Sequence, residues 1–248
     1  MKRIYISPSN QTSNLYATGN TNEGTQCQAI GELVGEMLQE NYADIEVRVA
    51  PITQKALDRA NGARNWGSDI MVCIHTNASG RTTAGQANGT LGIYYKGDYK
   101  TLTLSDAEIQ KRRDFAQLMV EKVSQLTGIN RGVTTNQQTE LVFCGCYGAL
   151  IEMEFHDNAK GSDFIQSNHE SLANALVEAI AVSLGLEKKS AEQPEEGLKE
   201  NEFYAVQVGA YKNLNNAKRQ RDKIRNLGAG AYIILKNTAE KTYKDVAQ

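Results

Sequence analysis

Apolar and polar positions follow two different periods along the first three quarters of the chain, and the switches between them mark out its elements. Residues 3–7 alternate as a strand that Pro8 ends. Residues 9–25, crowded with Ser, Thr, Asn and Gly, read as a loop. Ile30, Leu33, Val34, Met37 and Leu38 then fall on one face at helical spacing. Residues 45–49 make a short strand, and Pro51 precedes a helix from about Thr53 to Trp66. The apolar run 70–75 is too short for a typical helix and breaks into the polar stretch 77–85, so a buried parallel strand ending in His75 is predicted. Residues 90–95 are β-rich and read as an edge or neighbouring strand. Phe115, Ala116, Met119, Val120, Val123 and Leu126 share a helix face that Gly128 terminates. Residues 149–155 form a strand with Glu152 and Glu154 set into it, and Leu172, Ala175, Leu176, Ala179 and Ile180 mark a last helix. Strands alternating with helices predict an α/β fold, a mostly parallel twisted sheet with helices on both faces.

That pattern stops near residue 186. Residues 187–200 hold eight charged residues out of fourteen and little that could enter a core, which reads as a linker over 187–201. Beyond it, residues 203–209 read as a strand, Asn213 caps a helix to about Leu227, and 231–235 read as another strand. This is a small α+β module over 202–248. Charge divides along the same lines. Residues 202–248 carry nine Lys/Arg against four Asp/Glu, a net +5; residues 187–201 carry three against five; and 1–186 are left with −5 of the overall −2.

Composition excludes several classes. With 248 residues, 40% apolar and 23% charged, the chain has the make-up of a large globular domain plus a small one. No apolar run approaches the length of a membrane span, and nothing points to nucleic acid. The amino terminus carries charge but no apolar core or cleavage site, so no export signal is expected and synthesis in the cytoplasm is. Cys27, Cys73, Cys144 and Cys146 lie at no zinc-finger spacing and read as reduced, mostly buried thiols.

Three polar features stand where sheet chemistry would need them. Glu23 precedes the first amphipathic helix, His75 ends a central strand, and Glu152 interrupts an apolar one. Ligands of open α/β sheets bind outside the carboxyl ends of strands. Imidazole and carboxylate groups meeting there could hold a hydrolytic zinc ion, with a further carboxylate as general base. Taken singly, His75 could be a structural residue and Glu23 a complement to the helix dipole. A carboxylate in an apolar strand, as at Glu152, is costly unless it serves a function.

In this order the residues resemble the zinc-dependent N-acetylmuramoyl-L-alanine amidases of the type-3 fold, over most of residues 1–186. Cys73-Ile74-His75-Thr76-Asn77-Ala78 is similar to the family's Ser-Ile-His-Ala-Asn-Ala, and Arg59 and Asn61 to an Arg and Asn on the preceding helix. The segment from Gly89 to Tyr95 is similar to its Tyr-Tyr strand, and Asn130-Arg131-Gly132-Val133 to its Asp-Arg-Gly-Val. Residues 150–158, Leu-Ile-Glu-Met-Glu-Phe-His-Asp-Asn, resemble its Leu-Val-Glu-x-Gly-Phe-x-x-Asn. The resemblance implies Zn2+ as cofactor, Glu23 and His75 as zinc ligands, and Glu152 as the catalytic carboxylate. Asn77 and Arg131, on matched segments, are substrate-binding candidates, as is Glu154, which stands where most of the family has Gly. The reaction implied is cleavage of the peptidoglycan amide between N-acetylmuramic acid and L-alanine.

One departure stands out. The family opens Asp-Pro-Gly-His-Gly, and its histidine is the first zinc ligand; here the stretch is Ser7-Pro8-Ser9-Asn10-Gln11. The third ligand is therefore His156, taken by period-two alternation to share a face with Glu152 and Glu154, or else Asn10 or Gln11. A surface or supporting His156 is the alternative. His169, in a polar stretch at a helix start, reads as solvent-facing.

Phe203-Tyr204-Ala205-Val206-Gln207-Val208-Gly209-Ala210-Tyr211, followed by Asn216-Ala217, resembles the opening of a SPOR domain, a small peptidoglycan-binding fold. Only residues 242–246 could supply its third strand, so the module reads as incomplete. The whole is expected to be a peptidoglycan hydrolase acting at the bacterial cell wall after release, as a phage endolysin or an autolysin. The rivals are a non-catalytic wall-binding protein that lost its metal and a metallopeptidase cutting within the stem peptide. Oligomeric state is not set by the sequence.

Overall fold

The structure is a computed structural model, and it describes residues 1–80, 85–99, 103–189, 234–236 and 243–245. The chain divides into two compact units, residues 1–191 and 192–248.

Among the described residues the first unit is built on six strands: β1 (Lys2–Pro8), β2 (Ile45–Val49), β3 (Ile70–Asn77), β4 (Thr90–Tyr94), β5 (Asn130–Thr135) and β6 (Tyr147–Phe155). They form one sheet in the order β2-β1-β3-β6-β4-β5. β2, β1, β3 and β6 run parallel, while β4 pairs antiparallel to β6 and carries β5 beside it. The sheet is thus mostly parallel, with a reversed pair at one edge. β1, β3 and β6 lie at its centre, where crossover helices cover both faces; β1 and β3 accordingly read as near-continuous buried runs rather than alternating ones.

Among the described residues six helices cover it: α1 (Glu23–Asn41), α2 (Ala56–Trp66), α3 (Asp106–Thr127), α4 (Thr139–Phe143), α5 (Ala159–Ser167) and α6 (His169–Leu184). α1, α3 and α6 bury Cys27, Ile30, Val34, Phe115, Met119, Leu172 and Leu176 against Ile4, Val72, Ile74 and Ile151. α2 and α4 cover the other face, where Ala63 and Leu141 meet Tyr5, Met71, Cys73 and Leu150. Local chemistry fixes the ends of these helices. Asn22 caps α1 by accepting from the Thr25 amide at 2.9 Å, Ser105 and Glu108 form a capping box on α3, and Gly128 ends α3 in the left-handed region at φ 80°. α1 comes so close to β1 that a Cβ on Gly31 would stand 2.4 Å from Pro8 Cγ.

β5, α4 and α5 were not legible in the periodicity, being short or half-exposed. Cys27, Cys73 and Cys144 are buried free thiols and Cys146 is half-buried. No helix among the described residues is long and apolar enough to cross a membrane. In the second unit, β7 (Ile234–Lys236) and β8 (Tyr243–Asp245) pair antiparallel. They correspond to the expected strands at 231–235 and 242–246. The expected strand 203–209, the helix from Asn213 and nearly all of the charged linker 187–201 lie outside the described residues.

Candidate active site

The carboxyl ends of β1, β3 and β6 come together at one end of the sheet, and the site lies there. His75 ends the buried run of β3 and stands in direct register with Glu152 on β6. Glu23 is the first residue of α1, buried, with its carboxylate under the helix's positive end. His75 Nδ1 and Glu23 Oε1 are 2.9 Å apart.

The loop after β1 completes the arrangement. Gln11 Nε2 lies 3.4 Å from Glu23 Oε1 and 3.4 Å from His75 Nδ1. Asn14 Nδ2 donates to Glu23 Oε2 at 2.7 Å and to Gln11 Oε1 at 3.1 Å. Asn10 turns away, its amide donating to the Gln54 carbonyl at 2.7 Å.

Burial and charge set the protonation states. Burial pushes the Glu152 carboxyl up to about 7, with Glu23 adding to the shift and His75 opposing it. Burial would lower the His75 imidazole, but the Glu23 hydrogen bond and the charges of Glu152, Glu23 and Glu140 outweigh it and raise it. Glu23 moves the other way: burial opposes ionisation, and bonds from His75, Asn14 and Ser9 bring its carboxyl below the ordinary range. Among the described residues six buried side-chain atoms have no hydrogen-bond partner, and two of them, His75 Nε2 and Glu152 Oε2, lie here. A buried polar atom without a partner costs free energy, and at a strand end where ligands of open α/β sheets bind it is a candidate contact for one.

A second layer supports the first. Arg59 on α2 is fully buried and donates to the Pro8 carbonyl and, at 3.0 Å, to the Pro51 carbonyl. Glu140 on α4 accepts from the Ser7 hydroxyl, with Arg59 Nη1 3.9 Å away. This buried Arg–Glu–Ser cluster fixes the end of β1 from which the Gln11 loop departs. Glu140 was missed in the sequence because its helix has only five residues, too few for a period. Asn61 stays on the outer side of α2, accepting from Arg64 at 2.7 Å.

His156 is not brought to Glu23 and His75. β6 ends at Phe155, and its register with β3 shifts between His75 and Asn77, so period-two counting does not carry from Glu152 to His156. The ring instead stacks on Tyr16, with centroids 5.1 Å apart and planes 2° from parallel, and Nδ1 meets the Thr76 hydroxyl at 2.9 Å. Tyr16 also donates to Thr76 at 3.1 Å, and the Ala17 amide donates to the His156 carbonyl at 3.0 Å. His156 thus pins the site loop to the end of β6.

The remaining candidates are also placed. Glu154 is buried and Oε1 accepts from the Gly89 and Phe155 amides, at 2.7 and 2.8 Å, so it anchors the approach to β4. Asn77 accepts from the Ala78 amide at 2.8 Å at the strand end. Arg131 is exposed, with its guanidinium 5.1 Å from the Phe155 ring centroid and Nη1 donating to the Asn88 carbonyl at 3.1 Å. His169 is half-buried rather than solvent-facing: Nε2 meets Gln26 Oε1 on α1 at 2.7 Å. Among the described residues, no three His, Cys, Asp or Glu side chains are grouped to hold a metal ion.

The N-acetylmuramoyl-L-alanine amidase family matches residues 4–182, and the SPOR domain matches residues 200–245. The chain is 24% identical over 245 residues to the N-acetylmuramoyl-L-alanine amidase CwlM of Bacillus licheniformis, covering 96% of this chain and 87% of that protein. Its fold resembles that of an N-acetylmuramoyl-L-alanine amidase from Clostridium difficile 630, with TM-score 0.64, 22% identity, and coverage of 74% of this chain and 97% of the other. It likewise resembles the catalytic domain of the amidase CwlV from Bacillus (Paenibacillus) polymyxa var. colistinus, with TM-score 0.64, 20% identity, and coverage of 75% and 100%.

Proposed function

The chain belongs to the N-acetylmuramoyl-L-alanine amidase family and is a peptidoglycan amidase, and we propose that Glu152 moves the protons of its reaction beside a zinc ion held by Glu23 and His75. The observation that carries this reading is the meeting of His75 Nδ1 and Glu23 Oε1 at 2.9 Å, with His75 in register beside Glu152, whose buried Oε2 has no hydrogen-bond partner among the described residues.

The donor chemistry fits a cation between Glu23 and His75. If a protonated His75 Nδ1 donates a hydrogen bond to Glu23 across 2.9 Å, it meets the Gln11 amide donor-to-donor at 3.4 Å. If Nδ1 is bare, it accepts from Gln11 but faces the carboxylate lone pair-to-lone pair. A metal ion between them uses imidazole and carboxylate lone pairs together, which is the ligand chemistry of hydrolytic zinc. A zinc ion there would polarise the scissile carbonyl and acidify the attacking water.

The chain's own groups do the rest. Glu152 has a carboxyl raised to about 7 by burial, close to the value at which one group can both take and return a proton near neutrality. It accepts the proton of the water that attacks the lactyl carbonyl of muramic acid. It then delivers that proton to the departing L-alanine nitrogen, so the amide ends as acid and free amine. Glu23 and Asn14 hold the imidazole and carboxylate in place. Asn77 and Arg131, at the ends of β3 and β5, are the proposed contacts to substrate, and the cell wall is the proposed place of action.

Glu152→Gln tests the assignment. It keeps size and burial and removes the base, so release of L-alanine amino groups from purified walls should fall by about 10²–10⁴-fold with the fold intact. Turnover at the wild-type rate would remove Glu152 from the reaction.

A further inference from the structure

Resting on the zinc reading above, we propose that the side-chain oxygen of Gln11 is the third protein donor of the metal site. Three residues could fill the position left by the absent histidine, and their geometry separates them. Asn10 is committed to the Gln54 carbonyl, and His156 to Thr76 and the Tyr16 ring. The Gln11 amide alone among them reaches both Glu23 Oε1 and His75 Nδ1, at 3.4 Å each, while those two atoms are 2.9 Å apart. Three donors at about 2.0–2.1 Å from one tetrahedral ion stand roughly 3.3 Å from each other. The triangle therefore has the size of one face of a tetrahedral shell.

A primary amide presents oxygen or NH2 at nearly the same point when it turns by half a rotation. With no cation, the NH2 group faces Glu23. With a cation inside the triangle, the turned amide brings Oε1 to the same corner, and all three corners become lone-pair donors. The turn gives up the Asn14 to Gln11 bond at 3.1 Å, while Asn14 keeps its 2.7 Å bond to Glu23. No carboxylate, imidazole or thiol competes for this corner, since among the described residues no three such side chains are grouped. An amide oxygen is a weaker zinc donor than an imidazole. Metal affinity at this site is therefore set by Gln11 and is open to improvement by a single substitution.

The test titrates zinc into the metal-stripped full chain against a competing chelator, which reads affinity without reference to turnover. Gln11 is exposed, so its variants should fold, and circular dichroism checks that they do. Gln11→Ala should weaken zinc binding about tenfold or more, and Gln11→His should tighten it by a similar factor. Asn10→Ala should stay within about twofold of wild type. Equal affinity in wild type and Gln11→Ala, or loss of affinity in Asn10→Ala, would overturn the assignment of Gln11 while zinc binding itself stands. A wild-type chain that binds no zinc, or a His75→Ala variant that binds it as tightly as wild type, would overturn the zinc reading and this proposal with it.

Discussion

At the scale of single residues, the contrast between the two histidines at the sheet end follows from what each touches. His75 Nδ1 faces the buried Glu23 carboxylate at 2.9 Å and the Gln11 amide at 3.4 Å, whereas His156 is stacked on Tyr16 and hydrogen-bonded to Thr76. Substituting the two should therefore separate metal chemistry from structure. His156→Ala removes one hydrogen bond and the stacking on Tyr16, and should cost about 1–3 kcal/mol of stability, measured by denaturant unfolding. Zinc stoichiometry should be unchanged in that variant. His75→Ala should do the reverse, losing zinc with a smaller change in unfolding midpoint.

At the scale of elements, the site depends on how closely α1 is seated on β1. Gly31 is the contact point, since a Cβ there would come within 2.4 Å of Pro8 Cγ, at the end of the strand that leads into the Gln11 loop. Gly31→Ala should therefore destabilise by about 1–3 kcal/mol despite alanine's better helix propensity. It should also weaken zinc binding, because Glu23 rides on the same helix. A thermal melt and a zinc titration check both. The same scale explains what could be read in advance. β1, β2, β3, β6 and the long helices were legible because a buried run or a 3.6-residue face declares itself within one window. α4 was not, since five residues carry no period, and with it Glu140 and the buried cluster around Arg59 were missed. The alternation that would align His156 with Glu152 breaks for a related reason. Strand alternation is a local rule, and the register shift beyond His75 interrupts it before His156. The missing family histidine was legible as an absence. Which neighbour stands in its place was not, because that depends on where a loop turns its side chains.

At the scale of the whole molecule, the chain couples an amidase unit of net −5 over residues 1–186 to a SPOR-matching unit of net +5 over 202–248. A basic unit favours a polymer with anionic groups and should do so in a salt-dependent way. A chain ending at residue 191 should bind purified walls more weakly than the full chain at low salt, with the difference shrinking as salt rises. Sedimentation of protein with walls reads this directly. Hydrolysis of small soluble wall fragments should differ little between the two, since Glu23, His75 and Glu152 all lie in the first unit.

Whether this site cuts the muramoyl amide is read by labelling the amino groups released from purified peptidoglycan. The new amino termini should be those of L-alanine, should be lost in Glu152→Gln, and should disappear on chelation and return with added zinc. New amino termini belonging to residues within the stem peptide would contradict cleavage of that amide, as would no new amino termini from a zinc-loaded, folded chain.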